Sequence, residues 1–398
     1  MIYNDFKGKK LSQLGFGAMR LPVKANGAID EEQTGEMIDL AIDWGINYFD
    51  TAYPYHGGRS ERVIVSLLSE FPRDSYYLAD KFPGHQIYED YDPAAFFEEQ
   101  LKKCCVDYFD FYLLHNVCEL SMHVYEDKRW KIMDYLLEQQ RQGRIRHLGF
   151  SSHARPDTLR YFLDKYGDKL EFCQIQLNYL DWTLQDAKQK CDILKEYEMP
   201  LWVMEPVRGG KLAKLPQETE AKMKALRPEE SVAAWAFRWL QGLPQVKMIL
   251  SGMSSLEQLQ DNLETFRTSR PLNEEEKRVI QEAVTKLQDS VPCTACRYCC
   301  DGCPAGLNIP QLLHLYNEAR VEMVVAVTMA VDALPEDKRP SACVNCGACA
   351  KSCPQQIDVP GAMRDFAERL GKVPSWREIC RQRNEENRRN QGLSAPTA

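Results

Sequence analysis

Gly45-Ile46-Asn47-Tyr48-Phe49-Asp50-Thr51-Ala52-Tyr53-Pro54-Tyr55 is the stretch on which the fold turns. Its centre, Tyr48 to Thr51, is a short strand-like apolar run that includes a carboxylate, and it follows an amphipathic segment, Glu31 to Trp44. Outward from it the same alternation recurs. Strand-like runs fall at Leu14 to Ala18, Tyr76 to Lys81, Phe109 to His115, His147 to Ser151, Phe172 to Leu177, Leu201 to Glu205 and Val246 to Ser251. Helix-like stretches between them include Arg129 to Gln142, Leu184 to Tyr197 and Pro228 to Leu240. Eight strand–helix units in about 250 residues predict a closed (β/α)8 TIM barrel, an α/β fold. Runs that are apolar at nearly every position suit a parallel sheet covered on both faces. An open doubly wound sheet is the other arrangement this pattern allows. Residues 1 to 12 read as a hairpin turning near Lys7-Gly8, and Asn273 followed by Glu276 predicts a capped helix reaching about Asp289.

The remaining composition bounds the function. A length of 398 residues allows two or three domains at ~150 residues each. Apolar residues make up 44%, enough for a sizeable core and too many for a disordered chain. The longest apolar stretch, Val321 to Leu334, has 14 residues and contains Glu322 and Asp332. A bilayer span needs ~20, so no membrane segment is expected. The start, MIYNDFKGKKLSQ, has no apolar signal core, which points to a cytoplasmic protein. A net charge of -8 argues against nucleic acid or an anionic membrane as partner. The tail arginines Arg377, Arg381, Arg383, Arg388 and Arg389 alternate with Glu378, Glu385 and Glu386, which reads as a solvated helix face. Fifteen cysteines in a cytosolic chain point to metal or redox chemistry rather than disulfides.

In a parallel barrel the site lies at the C-terminal ends of the strands. Asp50, Lys81 and His115 lie at or beside the ends of the second, third and fourth runs, and Tyr55 lies in the loop after Asp50. Taken singly, His115 reads as a core histidine and Lys81 as a surface lysine. Together on one rim, such groups cost stability unless paired, and so mark a site. A tyrosine has an ordinary pKa near ~10, high for donating a proton to a carbonyl. An ammonium beside it favours tyrosinate and is expected to lower that value. A carboxylate would fix the lysine, and a neutral histidine would orient the carbonyl oxygen.

The Gly45–Tyr55 run resembles the aldo/keto reductases, as do Ala79-Asp80-Lys81-Phe82, Tyr112-Leu113-Leu114-His115, Leu14-Gly15-Phe16-Gly17-Ala18-Met19-Arg20-Leu21 and Gly149-Phe150-Ser151-Ser152. The resemblance spans residues 10 to 268. It implies a barrel, a nicotinamide cofactor (NADPH or NADH), and reversible reduction of a small-molecule carbonyl to an alcohol. It implies a catalytic set of Asp50, Tyr55, Lys81 and His115, with Tyr55 as general acid. It also implies cofactor contacts: Ser151, Ser152 and Gln174 at the carboxamide, and Gly17, Met19 and Arg20 near the same cleft. Gly209, Gly210, Gly252 and Asn262 would lie along the pyrophosphate and adenosine. Three positions depart from the family pattern. Met204 stands where most members stack an aromatic ring on the nicotinamide. Gly252 and Gln258 stand where NADP-preferring members carry basic residues. The loop Glu205 to Lys211 is more basic than usual, so Arg208 and Lys211 are candidates to meet a phosphate, including that of FMN.

The cysteines divide the chain. Cys104, Cys105, Cys118, Cys173 and Cys191 are scattered; nine fall between Cys293 and Cys353, and Cys380 stands alone. Cys293, Cys296, Cys299 and Cys303-Pro304 read C-x2-C-x2-C-x3-C-P, and Cys343, Cys346, Cys349 and Cys353-Pro354 repeat it. At this spacing three thiolates wrap one [4Fe–4S] cluster and the fourth reaches the other. Cys293, Cys296, Cys299 and Cys353 are therefore assigned to one cluster, and Cys343, Cys346, Cys349 and Cys303 to the second, with Cys300 left over. Zinc would want paired C-x2-C knuckles with longer gaps. The pattern resembles two-cluster bacterial ferredoxins, with an inserted helical run, Ile309 to Leu334, that predicts a mainly helical dicluster domain. Apart from the strand–helix alternation and this cysteine motif, no internal repeat is apparent. The expected organisation is a barrel over 1–268, a connecting helix over 269–289, a two-cluster domain over 290–370 and a polar tail over 371–398.

A nicotinamide gives up two electrons as one hydride, whereas each cluster takes one. Three readings follow. The first is an iron–sulfur-containing aldo/keto reductase-type oxidoreductase. The second is a flavin-bearing, ferredoxin-linked reductase in which the clusters feed FMN, with a ferredoxin or other electron-transfer protein as partner. The third is a non-catalytic redox-sensing or electron-relay module. The four rim residues favour the first.

Overall fold

A computed structural model describes residues 1–86, 91–287, 290–293, 295–353 and 355–390. The chain forms two compact units, Met1–Gln281 with the segment from Arg383 onward, and Glu282–Gln382.

The first unit opens with an antiparallel hairpin, β1 (Tyr3–Phe6) and β2 (Lys9–Ser12). Its turn is Lys7-Gly8, with φ of 51° and 78°. Two successive left-handed residues match the right-handed twist of a two-residue hairpin, and glycine takes the second without Cβ strain. Eight parallel strands follow: β3 (Leu14–Gly17), β4 (Tyr48–Asp50), β5 (Tyr77–Phe82), β6 (Phe109–Val117), β7 (Ile145–Ser152), β8 (Cys173–Gln176), β9 (Leu201–Met204) and β10 (Val246–Gly252). Each expected run became a strand, shifted by at most two residues at its ends. Because β10 pairs with both β9 and β3, the sheet closes and leaves no edge. The open-sheet alternative is thereby removed.

The barrel interior is packed. Phe6 and Leu11 of the hairpin join Tyr48, Phe111, Phe172, Trp202 and Met248 in one buried cluster. Phe6 meets Trp202 edge-on at 5.0 Å and Phe111 at 5.7 Å, which fills the end opposite the strand C-termini. Gly149 makes room for this layer: a Cβ there would stand 2.5 Å from the Phe172 ring. With that end filled by apolar side chains, polar groups collect at the other.

The helix Glu274–Leu287 begins with a reciprocal cap. Asn273 accepts from the amides of Glu275 (2.9 Å) and Glu276 (3.0 Å), and the Glu276 carboxylate accepts from the Asn273 amide (2.8 Å). Its expected end at Asp289 falls outside the described residues.

The second unit contains helices and turns, with no strand among its described residues. The expected run Ile309 to Leu334 is two helices, Ile309–Val321 and Val325–Asp332. Glu322 between them is extended, at φ −166° and ψ 136°. The β-branched Val321, Val324 and Val325 lose rotamer freedom in a continuous helix, and the break falls among them. The core of this unit is Leu312, Leu313, Leu315, Tyr316, Val327, Val331, Met363 and Phe366. The tail forms a helix, Trp376–Asn390; residues 391–398 lie outside the described residues. Among the described residues no helix is long and apolar enough to cross a membrane.

Candidate active site and thiol-lined cavities

β4 ends at Asp50, and the loop that follows is pinned at its base. The hydroxyls of Thr51 and Ser60 are 2.9 Å apart, and Ser60 Oγ donates to the Ala18 carbonyl at 3.4 Å. Tyr55 lies between those anchors. From β5, Lys81 Nζ donates to Asp50 Oδ1 at 2.6 Å and to the Thr51 carbonyl at 2.7 Å. Lys81 is 0% and Asp50 3% exposed, so the pair is shielded from water. The same ammonium lies 5.0 Å from the centre of the Tyr55 ring. The rings of Tyr55 and His115 meet edge-on, with centroids 6.0 Å apart. The four rim residues expected from sequence are thus brought together.

Their electrostatics differ from expectation in one respect. Burial raises the Tyr55 phenol above its ordinary value, and the nearby Lys81 only partly offsets this. The expected lowering is corrected: removal from water outweighs the ammonium. Burial also works against the charge on Lys81, but Asp50 and Tyr55 outweigh it and hold its pKa above the ordinary value. Burial raises Asp50, while Lys81 pulls it back. Burial drives His115 well below the ordinary imidazole value, helped by His85 and Lys81, so it is neutral; its Nδ1 has no hydrogen-bond partner among the described residues.

Several contributors escaped the sequence reading. The His85 ring lies tilted against that of His115, with centroids 4.0 Å apart, and burial likewise lowers its pKa well below the ordinary value. His153 is held down to about 4 by burial and by Lys190. Beneath Lys81, Asp80 Oδ1 accepts from the Lys81 amide at 2.8 Å, and Gln100 Nε2 donates to the Lys81 carbonyl at 3.1 Å. Gln100 also holds the buried Glu61 (3.1 Å), which Lys103 pairs at 3.2 Å. Asp80 was legible as the neighbour of Lys81; Glu61, Gln100 and Lys103 carry no signal in their spacing.

The expected cofactor contacts divide into those facing an open position and those already engaged. Gln174 Oε1 is buried without a hydrogen-bond partner among the described residues, and its Nε2 finds only the Met204 sulfur at 3.6 Å. Such an orphaned acceptor fits the amide N–H of a carboxamide. Ser151 Oγ accepts from the Asn116 amide at 2.8 Å, leaving its own proton to donate; Ser152 donates to the Val117 carbonyl at 2.8 Å. Arg20 passes between two glycines of the cleft: Cβ atoms on Gly252 and Gly209 would stand 3.1 and 3.0 Å from its side chain. Arg20 also pairs with Glu205 at 3.5 Å. This cradle of a guanidinium and bare backbone fits a pyrophosphate; Gly17 pairs with Gly252 across β3 and β10, and Gly210 follows Gly209 with a left-handed φ of 99°. Met19 is 49% exposed at its edge. Gln258 accepts from the Ser254 amide at 2.8 Å, and Asn262 is turned inward onto Ser251 Oγ at 3.0 Å. Arg208 does not point outward with Lys211: it is 2% exposed, with Nε 3.5 Å from Asp181 Oδ1.

In the second unit the cysteines line two small cavities. One has Cys303, Cys343, Cys346 and Cys349 in its wall, with Leu307, Ile309 and Met363. The other has Cys293, Cys296, Cys299 and Cys353, with Leu313 and Ile357. Each draws three thiols from one motif and the fourth from the other, as the spacing anticipates for a cubane pair. Cys300 lines neither, and Pro354 lies outside the described residues. Among the described residues no three potential ligands converge as a single ion requires. Thiols spread around a cavity fit a cluster of several irons better than one zinc, whose sulfurs lie ~2.3 Å from the metal. The 50-residue offset between motifs continues into the walls, where Leu307 answers Ile357, Ile309 answers Val359 and Pro310 answers Pro360. That longer repeat was readable in the sequence.

Comparison with known proteins agrees with this geometry. Residues 13–285 match the aldo/keto reductase family, and residues 292–357 match the 4Fe-4S dicluster domain. An uncharacterized oxidoreductase of Bacillus subtilis, YqkF, is 26% identical over 303 residues, covering 68% of this chain and 92% of its own. An NADH-specific methylglyoxal reductase of Escherichia coli is 22% identical over 323 residues, covering 70% and 96%. Among solved structures, the holo form of the aldo-keto reductase AKR11C1 of Bacillus halodurans superposes with a TM-score of 0.56 at 24% identity, covering 69% of this chain and 93% of that one. A closed barrel with this rim, matched over most of its length, places the chain in the aldo/keto reductase family of oxidoreductases, and the residues after it form a 4Fe-4S dicluster domain.

Proposed function

We propose that the barrel interconverts a small-molecule carbonyl and its alcohol, with Tyr55 as the proton donor. The observation that carries this reading is Lys81 Nζ, fixed 2.6 Å from Asp50 and 5.0 Å from the Tyr55 ring centre, with His115 edge-on to the same ring. A reduced nicotinamide, NADPH or NADH, supplies the hydride when bound. Gln174, Ser151 and Ser152 would hold its carboxamide end, and Arg20, Gly209 and Gly252 its pyrophosphate. Tyr55 then gives its proton to the carbonyl oxygen. Lys81 stabilises the phenolate that results, and Asp50 keeps Lys81 in place. Neutral His115 orients the oxygen through a ring N–H. In the second unit, Cys293, Cys296, Cys299 and Cys353 would ligate one [4Fe–4S] cluster, and Cys343, Cys346, Cys349 and Cys303 the other. Bound clusters exchange single electrons, which makes a ferredoxin or similar electron-transfer protein the expected partner, in the cytoplasm. The functional boundaries fall at 268, 289 and 370 on this reading. Tyr55→Phe should lower kcat for NAD(P)H-dependent aldehyde reduction by about 10² or more, the usual weight of a positioned acid. A variant that turns over at the parent rate would remove Tyr55 from this role.

A further inference from the structure

The two cysteine motifs repeat at an offset of 50 residues, and the backbone repeats with them. Ala295 and Asn345 have φ of 55° and 57°, and Gly306 and Gln356 have 60° and 53°. Arg297 and Gly347 each precede a four-residue helix, Tyr298–Asp301 and Ala348–Lys351, with φ 68° and ψ 0° in one half and φ 74° and ψ 0° in the other. Glycine takes that left-handed shape freely, whereas a residue with a Cβ takes it at a conformational cost. Arginine thus occupies a backbone position that suits glycine and that is glycine in the other half. An outlier of this kind points to function.

The two thiol-lined cavities differ at this position. Arg297 lines the cavity of Cys293, Cys296, Cys299 and Cys353, and Gln355 lines it too. Gly347 lines the other, whose wall has no charged or amide side chain among the described residues. The counterpart of Gln355 there is Ala305. Arg297 donates from Nη1 to Asn308 Oδ1, a neutral acceptor, at 3.4 Å, and no carboxylate pairs with it among the described residues. Other charges differ between the halves: Asp301 answers Lys351, and Asn308 answers Asp358. Asp301, Lys351 and Asp358 are exposed and line neither cavity, so water screens them. Lys338 donates to the Ala305 carbonyl at 2.8 Å and is matched by Asp337 at 3.5 Å. Arg297 is therefore the one charged side chain in either wall among the described residues.

Reduction adds an electron to a cluster whose four thiolates already make it anionic. A positive charge and hydrogen-bond donors beside the sulfurs favour that form and raise the potential. We infer that Arg297 sets the two clusters apart, raising the potential of the one held by Cys293, Cys296, Cys299 and Cys353. A single electron from a low-potential one-electron donor then rests there, while the cluster of Cys343, Cys346, Cys349 and Cys303 stays oxidised. The donor loses that electron and the protein gains it, with no bond made or broken. This rests on the cluster-ligand reading above and adds an order to the pair.

The test is an anaerobic redox titration of the full-length, cluster-reconstituted protein, followed by electron paramagnetic resonance and accompanied by an iron count. Parent protein should reduce in two steps. Arg297→Gly, which also relieves the backbone, should narrow their separation, and Arg297→Lys should keep part of it. Gly347→Arg should narrow it as well, by raising the lower step; a Cβ at Gly347 meets nothing within 4 Å, so the side chain has room. Making both exchanges should restore the separation. Each single exchange should change the partition of one electron between the clusters by about fivefold to tenfold, the weight of one charge at contact distance in water. If the parent reduces in one step, if Arg297→Gly keeps the parent separation, or if Gly347→Arg widens it, the inference is overturned while the clusters stand. Protein that takes up no [4Fe–4S] cluster overturns the ligand reading, and the inference falls with it.

Discussion

Lys81→Met isolates the interaction on which the rim depends. In the parent the ammonium is fully buried, donates to Asp50 Oδ1 at 2.6 Å and to the Thr51 carbonyl at 2.7 Å, and has no water to replace those partners. Removing it leaves Asp50 buried at 3% exposure with no counter-charge. Breaking one side of a buried pair costs about 3–5 kcal/mol, and Asp50→Asn should cost a similar amount by stranding Lys81. Independent effects would sum to about 6–10 kcal/mol in the double variant. The double variant should instead lose only about 1–3 kcal/mol, because no uncompensated charge remains and the chief surviving deficit is the orphaned Thr51 carbonyl. Urea unfolding followed by tryptophan fluorescence reads the barrel, since six of the seven tryptophans precede residue 282. The pH dependence has a fixed sign. Without Lys81 the folded pKa of Asp50 lies further above the unfolded value near ~3.9. The folded state then binds a proton that the unfolded chain lacks, so Lys81→Met should lose stability as pH rises through that folded pKa and regain it on acidification. Single-variant losses that add within about 0.5 kcal/mol would refute the coupling, because contacting residues are not additive.

Other consequences can be checked as directly. Cys303→Ala should remove one cluster and leave about four irons of the ~8 expected from two cubanes, whereas Cys300→Ala should leave the count intact; equal iron loss in both would undo the assignment by cavity wall. His153, held down to about 4 against an unfolded imidazole near ~6.5, binds its proton in the unfolded chain first. Its contribution is therefore present above pH ~6.5 and is lost as pH falls toward 4, by an amount on the order of 3 kcal/mol. His153→Gln should flatten the acid limb of a melting-temperature profile; an unchanged slope would show that other groups set it.

The fold was legible because its determinants are local. Strand runs, the Lys7-Gly8 turn and the Asn273–Glu276 cap each depend on a few neighbouring residues, and each formed as expected. Asp50, Lys81 and His115 could be read as a rim because strand ends in a barrel share one face, whatever the sequence distance between them. The grouping of the cysteines around two cavities was legible from spacing alone. What escaped depends on depth or on distant packing. His85 and His153 lie in loops with no period to mark them, and the approach of Glu386 to Gly57 spans most of the chain. The helix break at Glu322 was hidden within an apolar run, since composition alone does not show where β-branched residues interrupt a helix.

The sign of the Tyr55 shift belongs to the same class, and it bears on how the rim would work. Reading the residues pairwise sets an ammonium beside a phenol and lowers its pKa. The fold adds removal from water, which acts on the charged form of every group at once, and the net direction reverses. A raised resting value is compatible with a general acid. The phenol must keep its proton across the working pH range and release it only when the carbonyl oxygen gains negative charge. At that moment the relevant quantity is how well the site receives a phenolate. Lys81, fixed by Asp50 and 5.0 Å from the ring centre, is already placed to receive it and has little reorganisation to make. The carboxylate therefore does two opposed things: it holds the ammonium in position, and it cancels part of the charge that the phenolate would feel.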